Sequence, residues 1–144
     1  GMIDTQLMTL DLLTILDKPI TDDYTFQQLA TLFPENYPDI QDPFLNDFVS
    51  QGIINKKLNC EQPIFDALDE SLYPTYQDHW YIEAYIEDSQ GVAEPIFICT
   101  PNDYPQVYYT LVRIPSKQLD KTIVITLGVS EWTKKQHGWH YLQL

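Results

Sequence analysis

Near residue 78 the hydrophobic pattern of this chain changes its period, and that change limits the folds open to it. Upstream, apolar side chains recur three and four residues apart, as in Leu7, Met8, Leu12, Ile15 and Leu16. That is the spacing of one face of a helix. From Asp78 the run HWYIEAYIED alternates instead. Trp80, Ile82, Ala84 and Ile86 share one side, and His79, Tyr81, Glu83, Tyr85 and Glu87 share the other, the period of a half-buried strand. Helices first and strands after, with short connections, predict a single α+β domain. Its helical part covers about residues 5–73 and its sheet part about residues 78–144, the sheet being an antiparallel meander.

The helical half is punctuated by proline. A first helix over about Thr5 to Asp17 ends before Pro19, and Leu10 and Leu13 widen its apolar side enough to predict a well-buried helix. Thr25 followed by Gln28 is a capping-box pattern for a second helix through Phe26, Leu29 and Phe33, stopped by Pro34. Asp42-Pro43 and Gly52 bracket a short helix through Phe44, Phe48 and Val49. A fourth begins at Pro63, turns Ile64, Phe65, Leu68 and Leu72 inward, and closes at Pro74. In the second half, five strands are expected. Pro95 restricts the one over Val92 to Thr100 to an edge, a bulge or a strand beginning. Gln106 to Ile114 follows, then Ile123, Ile125, Leu127 and Val129, then a closing strand at Trp139, Tyr141 and Leu142 after Gly138.

Charge narrows the partners. Residues 1–110 hold 19 acidic side chains against 3 basic, and residues 111–144 hold 2 against 5. An acidic body repels nucleic-acid phosphate and anionic lipid, so neither nucleic acid nor a membrane is an expected partner. The opening residues carry no basic leader and no run approaches 18 apolar residues, which predicts a cytoplasmic protein. Cys60 and Cys99 are far apart and outside any CxxC pair, so idle thiols are expected, with one disulfide left open.

The last stretch carries a likeness. An alternating strand, Glu131-Trp132, a basic turn, then Gly138-Trp139 and a short closing strand resembles the end of NTF2-like (SnoaL-like, cystatin-like) domains. The resemblance implies helices against a curved sheet that form a cone with a pocket, and dimerisation through the sheet. It covers enzymes and inactive binding modules alike. An Asp-His pair of the enzymes has no clear counterpart in this chain.

Candidate chemistry is sparse. His79 and Glu83 fall on one strand face beside Asp78, with Tyr81 and Tyr85 interleaved, so a general base is conceivable there. A half-exposed or partner-covered sheet face shows the same pattern. His137 and His140 are spaced three apart with no companion ligand, so no metal and no cofactor is expected. Tyr81, Tyr85, Tyr108 and Tyr109, with Arg113, the one arginine in the chain, form the candidate binding set. The expected function is a non-catalytic binding or interaction module. A homodimer through the sheet face is expected, with a small apolar ligand or a basic protein as further partners. The alternatives are a small-molecule isomerase or hydrolase using a pocket Asp, Glu or His, and an acidic inhibitor or immunity-type protein.

Overall fold

The computed structural model describes residues 4–20, 22–36, 60, 62–116 and 121–131. The helix expected around Phe44 to Val49, the closing strand at Trp139, and His137 and His140 lie outside them. Among the described residues three helices, α1 (Thr5–Leu16), α2 (Phe26–Asn36) and α3 (Gln62–Tyr76), precede four strands, β1 (Trp80–Glu87), β2 (Ala93–Cys99), β3 (Gln106–Pro115) and β4 (Thr122–Ser130). The class is α+β, as the change of period predicts.

Local chemistry sets the helix starts. Asp4 caps α1 by accepting from the backbone N–H groups of Gln6 and Leu7. The capping box opens α2: Thr25 N–H donates to Gln28 Oε1 at 2.8 Å and Gln28 N–H to Thr25 Oγ1 at 3.3 Å. The first helix ends before Pro19 as expected, but proline does not end the next two where the sequence predicts. Pro34 lies within α2 and Pro74 within α3. Each sits in a final turn, where one lost N–H bond is tolerable; Gln77 N–H still reaches Tyr73 O at 2.8 Å. The end of α3 is set by Gln77, whose φ of 56° is left-handed and turns the chain into Asp78, His79 and β1.

All four strands are antiparallel, in the order β2-β1-β4-β3. This departs from the expected meander, because β2 and β3 occupy opposite flanks and residues 100–105 must cross the ends of β1 and β4 to join them. Three strand spacings are ~14 Å and six extended residues span up to ~20 Å, so the crossing is feasible. Pro95 falls where the β1–β2 register shifts, on the flanking strand, as its missing N–H requires.

The core lies between the helices and the inner sheet face. Trp80, Ile82, Ala84 and Ile86 point into it, opposite Val129, Leu127, Ile125 and Ile123 of β4. Met8, Leu12 and Ile15 of α1 and Ile64, Leu68 and Leu72 of α3 meet them from the helical side. Phe26 packs against Phe97 and Phe65 against Trp80, both with ring centroids 5.6 Å apart. Trp80 Nε1 also donates to Asp69 Oδ1 of α3 at 2.9 Å.

Two expectations need correction here. Leu7, Leu10 and Leu13 are exposed, because α1 buries only the face of Met8, Leu12, Ile15 and Leu16 and nothing among the described residues covers its back. The cysteines are not idle thiols. A disulfide joins Cys60, just ahead of α3, to Cys99 at the end of β2. Folding brings their Cα atoms to 5.2 Å despite a sequence separation of 39, a proximity that the sequence conceals.

Candidate functional site

The sheet face away from the helices is built in rows by the strand register. Tyr81, Gly128 and Tyr109 lie side by side on β1, β4 and β3. Glu83, Thr126 and Leu111 form the next row, flanked by Ile98 of β2, and Tyr85, Val124 and Arg113 the one after. Tyr109 is 54% exposed and Leu111 40%, with Ile98 and Val107 similarly open. The open part of this face is mostly tyrosine and aliphatic carbon with a few charges.

The binding set named from sequence largely converges there. Tyr81, Tyr85, Tyr109 and Arg113 share the outer face, while Tyr108 pairs with Val129 on the inner face and packs against the core. Alternation along β3 could have found Leu111, which has the parity of Tyr109 and Arg113. Ile98 is found only once the pairing with Glu83 is known.

Tyr81 and Glu83 act as one unit. The Tyr81 hydroxyl donates to Glu83 Oε2 at 2.6 Å. Burial first, then this carboxylate, then the nearby Tyr109 and Asp103, hold the Tyr81 phenol well above the usual tyrosine range. Gly128 leaves the space beside Tyr81 open to the Tyr109 ring. A Cβ placed there would lie 3.2 Å from both Tyr109 Cε1 and Gln106 Oε1. Tyr109 Oη donates to Gln106 O at 3.1 Å, and Gln106 Nε2 donates to Tyr104 O at 2.7 Å.

These bonds lead to a buried polar cluster at the end of the same face. His79 Nδ1 is hydrogen-bonded to Ser130 Oγ, its Nε2 lies 3.5 Å from Asp78 Oδ1, and its ring stacks on Tyr104 at 4.8 Å. Asn102 Nδ2 holds the other Asp78 oxygen at 2.7 Å, and Thr100 Oγ1 donates to Trp80 O at 2.8 Å. The crossing segment 100–105 is thus pinned over the strand ends. Serine, histidine and aspartate are the elements of a hydrolytic triad. However, His79 is 1% exposed and Ser130 2%, so the hydroxyl offers no surface for a substrate to approach. Glu83 is bonded to Tyr81, and His79 to Ser130 with Asp78 alongside, so the candidate base pair His79 and Glu83 is not assembled into one unit. Sequence gave no sign of Ser130, Tyr104 or Asn102, because their meeting with His79 depends on the crossover. No group of three or more His, Cys, Asp or Glu among the described residues could hold a metal ion. No helix among them is long and apolar enough to cross a membrane.

No family model, curated protein or solved structure matches the chain.

Proposed function

We propose that this protein is a non-catalytic interaction module whose outer sheet face docks a second copy of the chain. The observation that carries the proposal is the face itself: Tyr109, Leu111, Ile98 and Val107 left open beside Tyr81 and Tyr85, with α1, α2 and α3 on the other side. Tyrosine-rich, charge-poor patches of this kind are favoured at the centres of interfaces. The buried His79–Ser130 pair supports a structural rather than a chemical use of the one triad-like cluster. An NTF2-like kinship accords with helices on one face of an antiparallel sheet. Its specific carriers, Gly138 and Trp139, lie outside the described residues.

The test is a comparison of wild type and Leu111→Asp by sedimentation equilibrium at micromolar concentration. Leu111 points to solvent in the single chain, so the variant should fold with unchanged circular dichroism. A charge at the centre of a docking face should weaken self-association at least tenfold. Equal association by the two proteins would remove the sheet face from consideration.

A further inference from the structure

The outer face carries its own complement. Resting on the proposal that this face docks a second copy, we infer that the two copies meet about a two-fold axis running parallel to the strands, between β1 and β4. Two independent features of the register point to that axis. The first is size. Every outward residue of β1 is large, in the order Tyr81, Glu83, Tyr85, Glu87, and its neighbour on β4 is small or short, in the order Gly128, Thr126, Val124, Thr122. β1 is therefore a ridge and β4 a trough beside it, open at Thr126 and Thr122; Val124 is fully buried and the Tyr109 ring of the same chain lies against Gly128. The order β2-β1-β4-β3 is symmetric about the line between them. Rotation about that line exchanges β1 with β4 and β2 with β3, so each ridge lies over the other copy's trough. Residues of one row stay in one row. Glu83 meets the partner copy's Thr126 rather than another glutamate, and Ile98 meets Leu111.

The second feature is charge. Arg113 stands on β3, two strands from Glu87 of its own chain and one row away. With strands ~4.8 Å apart and alternate residues ~6.6 Å apart, that is a lateral distance of roughly 12 Å. The rotation carries Arg113 onto the β2 side of the second copy, next to β1, where the lateral distance to Glu87 falls to roughly 8 Å. Side chains of arginine and glutamate reaching across a ~10 Å gap between sheets can close that distance. An axis perpendicular to the strands through the row of Leu111 would instead set Glu83 against Glu83, which like charge disfavours. The face spans four strands and eight residues, roughly 500 Å² of plane per copy. That is the low end for a stable interface, so the dimer should be of micromolar rather than nanomolar strength.

Charge exchange tests the register. Arg113→Glu and Glu87→Arg should each weaken dimerisation about tenfold in sedimentation equilibrium, and the double variant should recover to within about threefold of wild type (tenfold corresponding to about 1.4 kcal/mol). Arg113 is exposed and Glu87 partly so, and circular dichroism with melting confirms that each variant folds. Thr126→Trp, which fills the trough, should abolish association. Suppose wild type dimerises, Leu111→Asp abolishes it, and the exchange variants leave it unchanged. The face is then right and the axis wrong. A wild type that stays monomeric overturns the axis and the docking proposal together.

Discussion

Ser130→Ala separates a structural from a chemical role for the buried cluster. The substitution removes only the hydroxyl that meets His79 Nδ1, at a site where the imidazole is 1% exposed and water does not replace the lost partner. Leaving a buried polar group without its bond costs about 1–3 kcal/mol. Against a domain stability of about 5–15 kcal/mol that is a large share, and it corresponds to a fall in melting temperature of about 2–12 °C. Replacing both partners should be gentler than the separate costs imply. Phe in place of His79 keeps a flat ring against Tyr104, and no nitrogen is then left to satisfy. The coupling energy in the cycle of Ser130→Ala, His79→Phe and the double variant should be about 1–2 kcal/mol, measured from urea midpoints at pH 7. A catalytic serine behaves differently: its alanine variant is as stable as wild type and loses turnover of ester or amide substrates. Ser130→Ala within about 0.5 kcal/mol of wild type, or strict additivity of the two single costs, would refute the structural assignment.

Three further outcomes follow from the same coordinates. Trp80→Ala, which empties a fully buried site and strands Asp69 Oδ1, should cost about 3–5 kcal/mol in urea unfolding; a cost under 1 kcal/mol would mean α3 is not anchored there. Reducing the Cys60–Cys99 bond releases the loop it closes and should lower stability by about 2–4 kcal/mol, while a thiol assay on unreduced, denatured protein should find no free cysteine. Tyr76, buried and bonded to Asp11, and Tyr81, partly buried and bonded to Glu83, both keep their protons above the ordinary tyrosine value of 10.0. The unfolded chain releases those protons first, so their contribution to stability is complete below pH 10 and declines as pH rises beyond it. Ultraviolet titration showing every phenol ionised by pH 10.5 in the folded protein would contradict this.

The chain's own pattern made much of the fold legible. Alternation in Trp80 to Glu87 fixes which residues face the core, and Thr25 with Gln28 marks a helix start, because both effects act within a few residues. Pro34 and Pro74 misled as helix ends, since a missing N–H in a last turn is a small loss against continued burial of Tyr76. Strand order was illegible for a different reason. A meander and the observed crossover have the same strands and nearly the same loop lengths, and only the long-range pairing of β1 with β4 tells them apart. The same pairing makes the His79–Ser130 bond and the ridge and trough, so neither had a local signature. Tyr108 was grouped with Tyr109 by composition, although adjacent strand residues must face opposite ways.

Among the described residues, apolar surface is open on the outer sheet face and along Leu7, Leu10 and Leu13 on α1. Hydroxyl-radical footprinting at concentrations from about 1 to 100 μM, spanning the association range of a micromolar dimer, reads which of them becomes covered. The account predicts that Tyr109, Leu111 and Ile98 lose reactivity as a species of twice 16.8 kDa forms, while Leu7, Leu10 and Leu13 stay fully reactive. Protection of the α1 leucines with the sheet residues unchanged, or a 16.8 kDa species throughout with no protection anywhere, would contradict it.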